Sequence, residues 1–121
     1  MARLVLSSLA LIALSTLTPL GCGDDVTVCV PGVACTCTNA DGCSDSCDGA
    51  GCAYTCTNTE GCRFSCAEGD CTVSATNAGA VSLDCPGGGC ELTCSNVDSC
   101  AITNCTDCVC TNNTGFGATC E

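Results

Sequence analysis

Cysteine is the residue through which this chain can do chemistry. Nineteen of its 121 residues are Cys. A thiol has three relevant fates: pairing into a disulfide, ligating a metal as thiolate, or accepting a covalent group. The usual partners of catalysis are missing. There is no histidine, and the basic residues are Arg3 and Arg63, so there is no lysine. A serine nucleophile has no evident base, and carboxylate pairs such as Asp45/Asp48 have no second domain to close a cleft over them. The chain reads as non-catalytic, with no cofactor.

The spacing of the thiols is regular. From Cys37 the gaps hold 5, 3, 4, 3, 5, 3 and 4 residues, through Cys43, Cys47, Cys52, Cys56, Cys62 and Cys66 to Cys71. The rule then calls for cysteine where Ala75 and Val81 stand, and resumes at Cys85, Cys90, Cys94 and Cys100. The period is 19 residues. Other columns keep it: Thr38, Thr57, Thr76 and Ser95, then Asn39, Asn58, Asn77 and Asn96. Self-similarity at a fixed period means stacked supersecondary units. The repeats lie near 37–55, 56–74, 75–93 and 94–109, with partial caps at 29–36 and 110–121. In the fourth unit Cys105 and Cys108 each miss the register by one residue, and Cys110-Thr111-Asn112 reads as an early restart of the motif.

Each unit has two stretches of period-2 alternation, the signature of strands. Cys62, Phe64 and Cys66 share one side, with Arg63 and Ser65 on the other. Cys52, Tyr54, Cys56 and Asn58 share a side in the preceding stretch. Thr59-Glu60-Gly61 and Ala67-Glu68-Gly69-Asp70 read as turns. The expected fold is all-β: a small disulfide-rich two-sheet β-solenoid, of either hand, with about four 19-residue coils. The inward Asn58-type residues are expected to form a ladder with backbone groups of successive coils. The alternative, an irregular disulfide-rich loop fold, leaves the 19-residue register unexplained.

Geometry limits the pairing. Cysteines four positions apart on one extended strand are ~13 Å apart at ~3.3 Å per residue, beyond the ~7 Å between Cα atoms that a disulfide tolerates. The gaps that contain turns can be bridged. The expected pairs are Cys37–Cys43, Cys56–Cys62 and Cys94–Cys100, with Cys47–Cys52, Cys66–Cys71 and Cys85–Cys90. Ala75 and Val81 occupy two positions that this scheme would join, so their loss strands no thiol. Cys29–Cys35, Cys105–Cys108 and Cys110–Cys120 are the expected cap pairs. Cys105-Thr106-Asp107-Cys108 is a C-x-x-C sequence, but without a βαβ context or a following His it reads as a cap disulfide rather than a redox or haem motif. No metal site is assigned. The turn carboxylates Asp41, Glu60 and Asp98 lack the oxygen-rich spacing of a calcium loop. A metal-thiolate protein of the metallothionein kind is the third reading of the cysteine content.

The N-terminus points to a location outside the cytosol. Met1-Ala2-Arg3 precedes an apolar run from Leu4 to Leu17, too short to span a bilayer as a helix, which takes about 20 residues, but suited to a signal peptide. Leu17-Thr18-Pro19-Leu20-Gly21-Cys22 follows and resembles the lipobox of bacterial lipoproteins, with Pro19 where an aliphatic residue is usual. The resemblance implies cleavage before Cys22 and attachment of diacylglycerol to its thiol. Parity agrees, since setting Cys22 aside leaves eighteen cysteines for nine disulfides. The expected domains are a signal peptide at 1–21, a lipid-attached spacer at 22–28 and a cysteine-rich repeat domain at 29–121. Disulfide density suits such an oxidising compartment, the cell envelope on its periplasmic or surface side. After Cys22 the chain carries thirteen acidic residues against one Arg, a net charge of −12. That excludes a nucleic-acid partner, which requires clustered Lys and Arg. The expected role is a rigid structural or surface-interaction module.

The outward positions of one strand repeat as Thr36 and Thr38, Thr55 and Thr57, Ser74 and Thr76, Thr93 and Ser95, then Val109 and Thr111. With Thr36-Cys37-Thr38-Asn39-Ala40-Asp41-Gly42-Cys43 and Thr55-Cys56-Thr57-Asn58-Thr59-Glu60-Gly61-Cys62, the chain resembles the beetle cysteine-rich antifreeze proteins over about half of each repeat. That family carries Thr-Cys-Thr and a disulfide across Cys-x5-Cys; its coil is shorter, and the Cys-x4-Cys half is an addition. The resemblance implies ice as a ligand of the Thr columns. Against it stands the general suitability of Thr for exposed strands.

Overall fold

The period-2 pattern forms strands throughout. In the computed structural model the described residues are 27–113 and 118–120; the stretch read as a signal peptide, 1–21, and Cys22 lie outside them. The strands are β1 (Thr27–Cys29), β2 (Ala34–Thr38), β3 (Cys43–Cys47), β4 (Ala53–Ser65), β5 (Thr72–Asp84), β6 (Glu91–Thr103), β7 (Val109–Asn112) and β8 (Ala118–Cys120). They join in one eight-stranded sheet with every pairing parallel. Ala53 pairs with Thr72 and Thr72 with Glu91, each 19 residues on. The sequence period is therefore one turn of a β-solenoid.

The two strands of a coil are not always separate. In β4, β5 and β6 a single 13-residue strand runs around the first corner. Thr59-Glu60-Gly61, a turn by its composition, instead continues the strand: Thr59 pairs with Ala78 and Gly61 with Ala80. The bend is concentrated at one residue. Asn39, Asn58, Asn77 and Asn96 have φ of 54°, 52°, 52° and 55°, the left-handed region that Asn tolerates better than most residues. These asparagines are exposed rather than inward. Their ladder runs side chain to side chain: Asn58 Nδ2 donates to Asn39 Oδ1 (3.1 Å), and Asn77 Nδ2 donates to Asn58 Oδ1 (3.2 Å). A left-handed residue swings its side chain out of the alternation, which is why period-2 counting misplaced it.

The second corner is a tight turn in which backbones nearly touch. A Cβ added to Gly87 would collide with the Glu68 carbonyl carbon and the Gly69 nitrogen of the coil before, so only glycine fits.

Stacking makes the core a set of columns. Cys35, Tyr54, Val73 and Leu92 form one, and Asp45, Phe64, Leu83 and Ile102 another, all buried. Tyr54 and Phe64 stack across the interior, ring centroids 4.4 Å apart. Half-cystines fill most of the remaining interior, doing the volume-filling that aromatics do elsewhere.

Candidate functional site

The described thiols are arranged within coils. Cys37–Cys43, Cys47–Cys52, Cys56–Cys62, Cys66–Cys71, Cys85–Cys90 and Cys94–Cys100 are disulfides, with Cα atoms 5.8 to 6.6 Å apart. Cys29–Cys35 lies in the first coil and Cys105–Cys108 in the turn that precedes the last. Cys110 is also disulfide-bonded; the side chain of Cys120, its expected partner, lies outside the described ones. Ala75 stands in register between Cys56 and Cys94, and Val81 between Cys62 and Cys100. Thr59 lies inside the second coil, its Oγ1 3.0 Å from Cys56 Sγ and 3.5 Å from Cys62 Sγ, so its hydroxyl donates into that disulfide.

Sulfurs also approach one another between coils. Cys66, Cys71 and Cys90 have their Sγ atoms within 4.8 Å of one another, as do Cys85, Cys90 and Cys108. Each group contains a bonded pair, and a disulfide sulfur lacks the thiolate charge that holds a metal. A metal-thiolate role would require these bonds to be open.

The first outer face carries the threonines. Thr36, Thr55, Ser74 and Thr93 align in register, and so do Thr38, Thr57, Thr76 and Ser95. All point outward, exposed or half-buried. The last coil departs from expectation. Val109 pairs with Glu91 and Thr111 with Thr93, an offset of 18. Thr111 therefore extends the Thr36 column, and Val109 belongs to neither threonine column. Asn113 follows Ser95, donating its backbone N–H to Cys94 O (2.9 Å) and its Nδ2 to Ser95 Oγ (3.5 Å). Nor does Cys110 restart the motif beside Cys94; it pairs with Leu92, in the Tyr54 column. The cause is a shortened second turn: Cys85 and Cys90 are five positions apart, whereas Cys105 and Cys108 are three apart. Asp84 Oδ1 holds the tightened chain, accepting from Asn104 Nδ2 at 2.6 Å and Thr103 Oγ1 at 3.4 Å.

The second outer face bears a shallow groove of about 630 Å³, whose lining includes Asp41, Glu60, Arg63, Ser44, Ser82 and Ser99. One guanidinium, two carboxylates and hydroxyls line it without a nucleophile–base pair. Asp45, by contrast, is 3% exposed in the Phe64 column, and so faces away from this surface.

No protein-family model matches the chain, and no curated protein or solved structure matches it either.

Proposed function

We propose that this protein is a non-catalytic, exported lipoprotein, anchored to a bacterial membrane through Cys22, whose solenoid is a rigid module for surface interaction. One observation carries the reading: every cysteine from Cys29 to Cys110 is disulfide-bonded. Such a set needs an oxidising compartment. Each short loop so closed contributes about 2 kcal/mol in the chain-entropy picture, with poor additivity. The lipobox-like stretch and the acidic, lysine-free surface agree with it. Expression with labelled palmitate tests the anchor. The label should enter the wild type and be lost, with release to the soluble fraction, in Cys22→Ser. Unlabelled, soluble wild-type protein would refute it.

A second reading rests on the first outer face. Columns of Thr stack from coil to coil at ~4.8 Å, with residues i and i+2 ~6.7 Å apart. Disulfides beneath hold Thr36, Thr38, Thr55 and Thr57 in place through Cys37 and Cys56. Hydroxyls and methyls so spaced can order water into an ice-like array. Thermal hysteresis tests it: activity that survives in Thr57→Lys/Thr76→Lys removes this face from the reading.

A further inference from the structure

Four large hydrophobic side chains stand in solvent among the described residues, and three of them occupy one short stretch. Val28 is 54%, Val30 43% and Val33 49% exposed; the fourth, Val109, lies in the last coil. The three valines are presented by a braced structure. Val33 N–H donates to Val30 O (3.2 Å), and Gly32 has φ +83°, closing Val30-Pro31-Gly32-Val33 as a tight turn that Pro-Gly suits. The Cys29–Cys35 disulfide clamps the base of the turn. Pro31 rests against Gly49 of the next coil, where a Cβ would meet Pro31 Cγ at 3.1 Å.

The turn does not itself demand valine. The same corner reads Asp48 to Gly51, Ala67 to Asp70, Pro86 to Gly89 and Thr106-Asp107 in later coils, all small or polar. The apolar set is confined to the N-terminal end, the end nearest Cys22. Four residues, Gly23 to Val26, separate Cys22 from Thr27, a reach of at most about 17 Å at ~3.4 Å per residue.

We propose that this end of the solenoid docks on the bilayer, with Val28, Val30 and Val33 entering the boundary between headgroups and acyl chains. The proposal rests on the reading of Cys22 as the lipid-bearing residue and adds the orientation: the N-terminal coil faces the membrane and the last coil points away. The two acyl chains of a diacylglycerol suffice to tether the protein, and buried apolar side chains add to membrane binding, so what the valines supply is a second point of contact that fixes the orientation. Asp24, Asp25 and the net charge of −12 disfavour anionic lipid, so the matching surface is zwitterionic.

The chain has no tryptophan, so one introduced indole reports cleanly. Full-length Val33→Trp protein, reconstituted in phosphatidylcholine vesicles containing brominated acyl chains, should be quenched several-fold more than Val109→Trp. Val30→Trp serves if Val33→Trp does not fold. Equal quenching, or none, in protein that floats with the vesicles overturns the docking while leaving the anchor intact. Mass spectrometry reads the anchor separately. If Cys22 carries no acyl group, the same comparison with added vesicles still decides: selective quenching at position 33 supports docking by the valines alone, and its absence overturns it. A blue shift at position 33 that needs only higher protein concentration assigns the valines to a second copy and overturns it as well.

Discussion

Asn96 Nδ2 donates to Asn77 Oδ1 at 2.7 Å, and both residues turn the chain through a left-handed φ, 55° and 52°. One residue type thus performs two tasks at Asn58, Asn77 and Asn96: it accepts the left-handed backbone and links the coil to its predecessor. Asn77→Ala removes both and should lower stability by about 2 kcal/mol, from the left-handed penalty and the lost hydrogen bonds. Asn77→Gly keeps the corner and loses only the ladder, so it should lose about half as much. Urea unfolding without reductant compares them.

Ala75 and Val81 are each 1% exposed and fill the positions of a within-coil bond. Ala75→Cys/Val81→Cys should close a further disulfide of sequence separation 6, like Cys56–Cys62, and raise stability by about 2 kcal/mol. Peptide mapping should find the new pair with no added free thiol, whereas either single substitution should expose one thiol to a colorimetric assay on unfolding.

Cys105 and Cys108 are half-buried, whereas Cys85 and Cys90 are buried. Access governs attack by an external thiol. Limited dithiothreitol followed by alkylation should therefore tag Cys105 and Cys108 before Cys56 and Cys62. Because Cys108 Sγ lies within 4.8 Å of the Cys85 and Cys90 sulfurs, the next tags should appear on that pair.

Gly32 and Gly87 separate two costs of a side chain. Gly87→Ala should lose at least about 2 kcal/mol, since its Cβ meets backbone that cannot move aside. Gly32→Ala has φ +83° but nothing within 4 Å of the new atom, so it should lose about 1 kcal/mol. Thermal unfolding of the two variants checks the order.

The solenoid was legible because its period is written in the cysteines, and because alternation around Tyr54 and Phe64 marks the strands. The first corner was not, because a bend made by one left-handed Asn leaves hydrogen bonding unbroken on both sides and so looks locally like a turn. The last coil was misaligned for a different reason. Cys110-Thr111-Asn112 imitates Cys56-Thr57-Asn58, but the shortened turn before it moves Cys110 into the column of Leu92. Local likeness cannot reveal how many residues an earlier turn has dropped. The exposed valines gave a weak signal: Val30-Pro31-Gly32-Val33 carries branched apolar side chains where later corners carry small or polar ones.

Among the described residues, the eight disulfides with both partners placed span sequence separations of 3 to 6 residues, so none of these ties one coil to the next. Neighbouring coils are held by backbone pairing, side-chain stacking and the asparagine ladder. Under tension applied at its termini, such a molecule would come apart like a peeled spring. Successive coils would lift away in order while each closed loop stayed shut, so the extended thread would be shorter than its residue count allows. Re-coiling would begin from these preformed loops.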